Sequence, residues 1–244
     1  MDVQTRRELI GHLRTGLAPE ADARLWALLD SESDTWNRCQ ILYALGERPG
    51  NLACALQKLR DGSLPDRQER DCLVDGIAAG LRDGPQEGRQ AFWNLYDCEP
   101  DGATKDGMLK AMLACRDPRA TLILVDRLQR GQGLPAVLNY SLDDPDPGIV
   151  MENEVVLRVI AADASAPVSN RTNAFLGLYR IDHQGAVDAI LWGFDGLSED
   201  ERIHVVKGLR MLPGYEEAGT ALKRIGKEDP SEAVRKAASA LRGW

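Results

Sequence analysis

The chain has 244 residues, 43% of them hydrophobic, with 38 acidic against 30 basic side chains and a net charge of −8. That apolar content excludes a wholly disordered polypeptide, and the acidic balance argues against a general affinity for nucleic acid or an anionic membrane. The opening MDVQTRRELIGHLRTGL lacks the apolar stretch of a signal peptide, and no apolar run approaches the ~20 residues that cross a bilayer, so a soluble cytoplasmic protein is expected.

In chain order, DTWNRCQILYALGE (34–47), PDRQERDCLVDGIAAGL (65–81), DPRATLILVDRLQRG (117–131) and EDERIHVVKGLRML (199–212) carry apolar residues at i, i+3, i+4 and i+7. They open on Asp, Pro or Glu, and this pattern predicts amphipathic helices. Short breakers stand between such segments: ERPG (47–50), DGSLP (61–65), RDGP (82–85), CEPDG (98–102), RDP (116–118) and LPG (212–214). Nothing alternates with period two long enough to make a strand, and the spacing predicts about fourteen helices. Cys39, Cys54, Cys72, Cys98 and Cys115 mostly fall within these apolar patterns and are expected as buried free thiols of a reducing compartment.

An internal repeat organises the helices. Arg38, Arg70, Lys105, Arg171, Arg202 and Arg235 form a column whose members are 31 to 35 residues apart, except for one gap of two periods between Lys105 and Arg171. Three residues after each comes Ile41, Leu73, Met108, Ala174, Val205 or Ala238, and seven after the first five comes Leu45, Ile77, Met112, Leu178 or Leu209. Those offsets share one helical face. Six residues on, the first five copies carry Ala44, Gly76, Ala111, Gly177 and Gly208. A mid-helix glycine costs roughly 1 kcal/mol against alanine, so its recurrence predicts a seam where helices approach closely. A second helix fits between copies, as in NLACALQKL (51–59), ATLILVDRL (120–128), AVDAILWGF (186–194) and EAGTALKRI (217–225). Each unit is thus a helix pair that buries its apolar faces by stacking on its neighbours.

The segment DPSEAVRKAASAL (229–241), with Asp229, Val234, Arg235 and Ala238 in a D-x-x-x-x-V-R-x-x-A pattern, resembles the second helix of the short HEAT-like repeat found in phycobilin-lyase-like proteins. DTWNRCQILYALG is similar, with Asn37 in place of the valine. The resemblance implies an all-α, right-handed α-solenoid of about seven HEAT-like helix pairs, a single domain spanning 1–244. It also implies that the column arginine bonds an acid or a turn carbonyl next door rather than a ligand. In that family the helix bearing this arginine lines the concave surface. Offset 5 of the column, occupied by Tyr43, Asp75, Lys110, Leu176 and Lys207, is then expected to be an exposed strip. Its mixture of aromatic, aliphatic and both charge signs suits a protein surface better than a phosphate backbone.

A copy of the column is due near residue 138, but LNYSLDDPDPGIVMENEVVL (138–157) stands there, so 139–152 reads as an acidic insertion interrupting the array. Asp143, Asp144, Asp146, Glu152 and Glu154 contribute to a stretch of six acids over 140–170 in which Arg158 is the one base. Pro145 and Pro147 are expected to stiffen the turn and hold the aspartates outward. Three readings remain: a metal site, a plain connector, or a contact for a cationic partner. The calcium-loop spacing D-x-[DN]-x-[DN]-G is not met, which leaves the connector and the partner contact.

Catalytic patterns are scarce. His12, His183 and His204 form no H-E-x-x-H, and no C-x-x-C, P-loop, G-x-S-x-G or G-x-G-x-x-G occurs, so neither metal nor cofactor is expected. Trp93 and Asp97 in FWNLYD (92–97) make a W-x-x-x-D turn similar to one in HEAT-like alkylpurine DNA glycosylases, although packing accounts for the tryptophan as well. The expected function is a non-enzymatic protein-binding solenoid, an adaptor or an inhibitor or immunity protein for a partner with a basic surface. A lyase- or chaperone-like assistant to a cofactor-bearing protein and the DNA glycosylase are the alternatives.

Overall fold

The computed structural model of the chain describes residues 3–15, 19–82, 84, 86–212 and 216–240. These hold fifteen α-helices, three 3-10 turns and no strand. The fold is all-α. Parts of the expected breakers at 82–85 and 212–214, and the last residue of the 229–241 motif, lie outside the described residues. The chain divides into two compact units, Met1–Cys115 and Arg116–Trp244, and the acidic segment lies within the second.

The first unit contains α1 (Val3–Thr15), α2 (Pro19–Ser31), α3 (Thr35–Gly46), α4 (Leu52–Arg60), α5 (Arg67–Leu81), α6 (Gln86–Cys98) and α7 (Gly102–Leu113), with a 3-10 turn at Pro49–Asn51 before α4. Here α1, α3, α5 and α7 pack each on the next, α2 packs on α1 and α3, and α4 packs on α3, α5 and α6. The aspartates before α3, α5 and α7 start these helices: Asp34, Asp66 and Asp101 accept the backbone N–H of Asn37, Glu69 and Thr104 at 2.9, 3.1 and 2.7 Å. Each satisfies an N–H that the helix itself leaves without a partner. The seam residues Ile41, Leu45, Leu73, Ile77, Met108 and Met112 are at most 1% exposed. Between α3 and α5 the glycines let the backbones touch. A Cβ on Gly76 would stand 2.8 Å from Tyr43 Cα, and one on Gly80 would stand 2.6 Å from the Glu47 carbonyl oxygen.

The second unit contains α8 (Pro118–Gln129), α9 (Pro147–Glu152), α10 (Glu154–Ala162), α11 (Val168–Tyr179), α12 (His183–Leu191), α13 (Glu199–Arg210), α14 (Glu216–Glu228) and α15 (Glu232–Ser239). Helices α11, α13 and α15 form one layer, and α8, α10, α12 and α14 follow one another in a second. Where the repeat calls for a helix near 138, the chain makes a 3-10 turn at Ala136–Leu138 and then irregular turns. Their hydrophobic residues still fill the core, since Leu138 and Leu142 are fully buried. The Asn173 side chain ties the turn onto α11, donating to the Leu138 carbonyl and accepting the Leu142 N–H, both at 3.2 Å. Every residue of α11 from Asn170 to Tyr179 is buried in consequence.

Several of the column arginines tie the chain together, while the buried Nε of Arg70 finds no hydrogen-bond partner among the described residues. Arg38 pairs with Glu69 at the start of α5, with Nη2 to Oε2 at 3.0 Å, and donates to the Leu29 and Glu32 carbonyls. Arg202 pairs with Asp229 and donates to the Leu197 carbonyl at 2.7 Å, while Arg235 donates to the carbonyls of Asp229 and Pro230. The Lys105 ammonium lies 5.2 Å from the centre of the Tyr96 ring. Arg171 is fully buried, has no carboxylate partner among the described residues, and reaches three carbonyl oxygens, Ala161, Ile190 and Trp192, at 3.1, 3.0 and 2.8 Å.

The expectation of five buried thiols needs correction. Cys39 and Cys115 are buried and Cys72 is half-buried, but Cys54 and Cys98 are exposed. Cys54 sits in the first turn of α4 and Cys98 is the last residue of α6. Burial, reinforced by the neighbouring Cys39 thiol, pushes the Cys72 thiol up to about 12.

Candidate functional site

The aspartates of 143–146 are turned to internal use, contrary to the expectation that the prolines hold them outward. The Asp144 carboxylate lies 2.6 Å from Arg116 Nε and 4.0 Å from Arg180 Nη2. Asp143 is half-buried and its carbonyl accepts Arg180 Nε at 2.7 Å; burial first, then Asp144, raises its carboxyl above the ordinary range. Asp146 caps α9, accepting the Ile149 N–H at 3.1 Å, and its own N–H donates to Thr121 Oγ1 at 3.1 Å. Glu154 pairs with Arg158 at 2.7 Å, and Arg158 also reaches Asp182 at 3.0 Å. Of the five acids, only Glu152 is exposed. Local cations and unsatisfied helix N–H groups recruit the others.

The expected strip is interrupted. In the first unit Asp75 and Lys110 are exposed, and Tyr43 is half-buried beneath the Arg14 guanidinium, 4.6 Å from its ring centre. In the second unit Lys207 is exposed but Leu176 is fully buried, which removes it as a surface anchor. Helix α11 packs against α8, α10, α12 and α13, and the turn that replaces the missing helix is tied to it through Asn173.

The exposed feature of the same stretch is apolar. Met151, Val155 and Val159 are 66%, 76% and 64% exposed and recur every four residues along α9 and α10. Asn153 separates the two helices at φ −111° and ψ 14°; its carbonyl accepts the Leu157 N–H at 3.0 Å, and its side chain donates to the Ile149 carbonyl at 2.9 Å. Val155 and Val159, four residues apart on α10, share one face and form a ridge, and Met151 is exposed near the end of the helix before it. Buried Leu157 and Ala161 hold the opposite face of α10 against the core. Helix α10 packs between α8 and α12, and these carry two further exposed apolar side chains, Leu122 on α8 and Trp192 just after α12. Arg171 secures both ends of this surface from beneath, because its carbonyl partners close α10 and α12. The sequence signal was present in IVMENEVVLRVI (149–160), which is apolar in more helical phases than one core contact requires.

Other candidate chemistry does not assemble. Trp93 is 4% exposed and stacks edge-on against Phe92 and Tyr96, so its ring is closed to a base. His12 is exposed; His183 stacks on Tyr179 and lies 3.8 Å from Glu217. His204 stacks on Tyr140 at 4.9 Å, and burial, then Lys207, holds its imidazole below the usual range. Among the described residues no three His, Cys, Asp or Glu side chains converge to hold a metal ion, and no helix is long and apolar enough to cross a membrane. The chain matches no family model, no curated protein and no solved structure.

Proposed function

We propose that this chain is a non-enzymatic protein-binding module of stacked HEAT-like helix pairs, serving as an adaptor or inhibitor that docks its partner on the ridge of α10. One observation carries the reading: Val155 and Val159 stand exposed one turn apart on α10, whose opposite face is anchored in the core, and Met151 is exposed on the helix before it. Isolated surface aliphatics need no explanation, but an aligned set does, since covering it removes apolar area from water at roughly 25 cal/mol per Å². A partner helix with its own i, i+4 apolar residues fits such a ridge. The exposed carboxylates Glu152, Asp163 and Asp188 on and beside the same helices favour a partner with basic flanks, consistent with the overall charge of −8.

The test is a photo-crosslinking amino acid placed at position 155 in the cell of origin, with position 68, on exposed Gln68 of α5, as control. A discrete crosslinked protein at 155 that is absent at 68, and absent after Val159→Asp, is expected. Equal crosslinking at both positions, or none at 155, would remove the reading.

A further inference from the structure

A groove of about 490 Å³ lies between α12 and α14, at the Trp192 end of the surface described above. Buried Val187 and Ala221 and half-buried Leu191 supply the apolar part of a mixed lining, and Trp192, 70% exposed, also lines it. Arg171 fixes the Trp192 carbonyl at 2.8 Å, and Gly193 at φ +71° turns the chain away directly afterwards. The backbone of Trp192 is thus held while its ring remains in solvent.

The charge lining the groove is unbalanced, with Asp188, Glu216 and Glu217 against Arg224. Glu217 is engaged by the Tyr179 hydroxyl at 3.2 Å and Asp188 by Gln184 at 2.8 Å, while Glu216 has no ion pair among the described residues. A second observation is independent of charge. Trp36, Tyr43, Trp26 and Tyr96 each carry a cation of this chain over the ring, from Arg7, Arg14, Lys58 and Lys105, at 4.6 to 5.4 Å. Trp192 is the most exposed large hydrophobic side chain after Val155, and among the described residues it carries none.

We infer that the groove is a subsite for an arginine side chain of the docked partner. The guanidinium stacks on the Trp192 ring and is held by the Asp188 and Glu216 carboxylates, with its methylene stem along Leu191 and Val187. Arginine is favoured over lysine because a planar, weakly hydrated guanidinium both stacks on indole and donates in a fork to carboxylates. This rests on the protein-binding reading above and adds to it the chemistry of one anchor residue.

The probe is N-acetyl-arginine amide titrated into the isotope-labelled full chain, read at the Trp192 indole N–H resonance, which Trp192→Phe identifies. A saturable shift with a Kd of roughly 10 mM is expected, as befits one side chain without the rest of an interface. The lysine amide should bind about 3-fold more weakly and the uncharged norleucine amide should give no saturable shift. Asp188→Asn with Glu216→Gln, both at exposed positions, should weaken arginine binding about 5-fold or more. Equal response to norleucine, lysine amide binding as tightly as arginine, undiminished binding in the double variant, or no saturation by about 100 mM would each overturn the inference. Saturable arginine binding by a chain that gives no crosslink from position 155 condemns the ridge alone. Crosslinking at 155 without arginine binding condemns the subsite alone.

Discussion

Helices α3 and α5 in the first unit and α10 in the second are held by different means. Between α3 and α5, Gly76 and Gly80 bring backbone against backbone, and the contact runs along the helices. Helix α10 is held on one face by Leu157 and Ala161 and at its end by Arg171, which donates to the Ala161 carbonyl in the last turn. A helix gripped along its length spends its apolar surface on its neighbours. One secured by its end and one narrow face keeps the rest for something else.

The largest expected effect breaks the first arrangement. Gly76→Ala puts a Cβ into the Tyr43 backbone, which no side-chain rotation relieves, so α3 and α5 must separate. A loss of about 3 kcal/mol is expected from chemical denaturation. Gly177, by contrast, would place its Cβ 3.6 Å from Leu142 Cδ1, an ordinary contact, so alanine there should change stability by less than about 1 kcal/mol. If the two alanine variants cost the same, glycine does not mark the close seam.

Arg171→Met breaks the second arrangement. It removes the donor from three carbonyls, those of Ala161 and Ile190 in buried bonds and that of Trp192 in a part-buried one, and a loss of about 2 kcal/mol is expected after allowing for relief of a buried guanidinium. Amide exchange should quicken at the ends of α10 and α12 before it does in α13. Uniform quickening throughout the unit would mean that Arg171 is general filler rather than an end clamp.

A smaller, pH-dependent effect belongs to the turn that replaces the missing helix. His204, stacked on Tyr140, has its imidazole pKa lowered in the folded state, chiefly by burial and then by Lys207. The unfolded chain therefore takes up the proton first as pH falls. Stability from this group is present above the ordinary histidine range and is lost as pH drops from there toward the folded value. His204→Phe keeps the ring stack and should flatten that part of the stability profile; an unchanged profile would assign the titration elsewhere.

Much of the fold was legible because it is written locally. The N-cap aspartates Asp34, Asp66, Asp101 and Asp117 announce four helices, and the seam offsets from Ile41 to Leu209 fall in the core. What was not legible depends on neighbours distant in sequence. Leu176 sits at a position that periodicity marks as exposed, yet it is fully buried on a helix that packs against α8, α10, α12 and α13. Asp144 reads as free charge until Arg116 and Arg180, 28 and 36 residues away in opposite directions, meet it. The ridge escaped notice for the complementary reason: an apolar run next to a core looks like more core, and nothing in Val155 or Val159 states that no neighbour covers them.

The smallest expected effect is the sharpest test of the contrast between these helices. Val155 and Val159 are 76% and 64% exposed, so folding removes little of their area from water and their contribution to stability is small. Serine and valine have similar helix propensities, so replacing both valines with serine should shift stability by less than about 0.5 kcal/mol. The same double change should abolish crosslinking at neighbouring Met151, because a docked partner would bury what the isolated chain leaves open. A stability loss above about 1 kcal/mol would show that the valines are already packed in the folded chain. The ridge would then be ordinary core, α10 would be held along its length as α3 and α5 are, and the surface on which the partner-binding proposal stands would not exist.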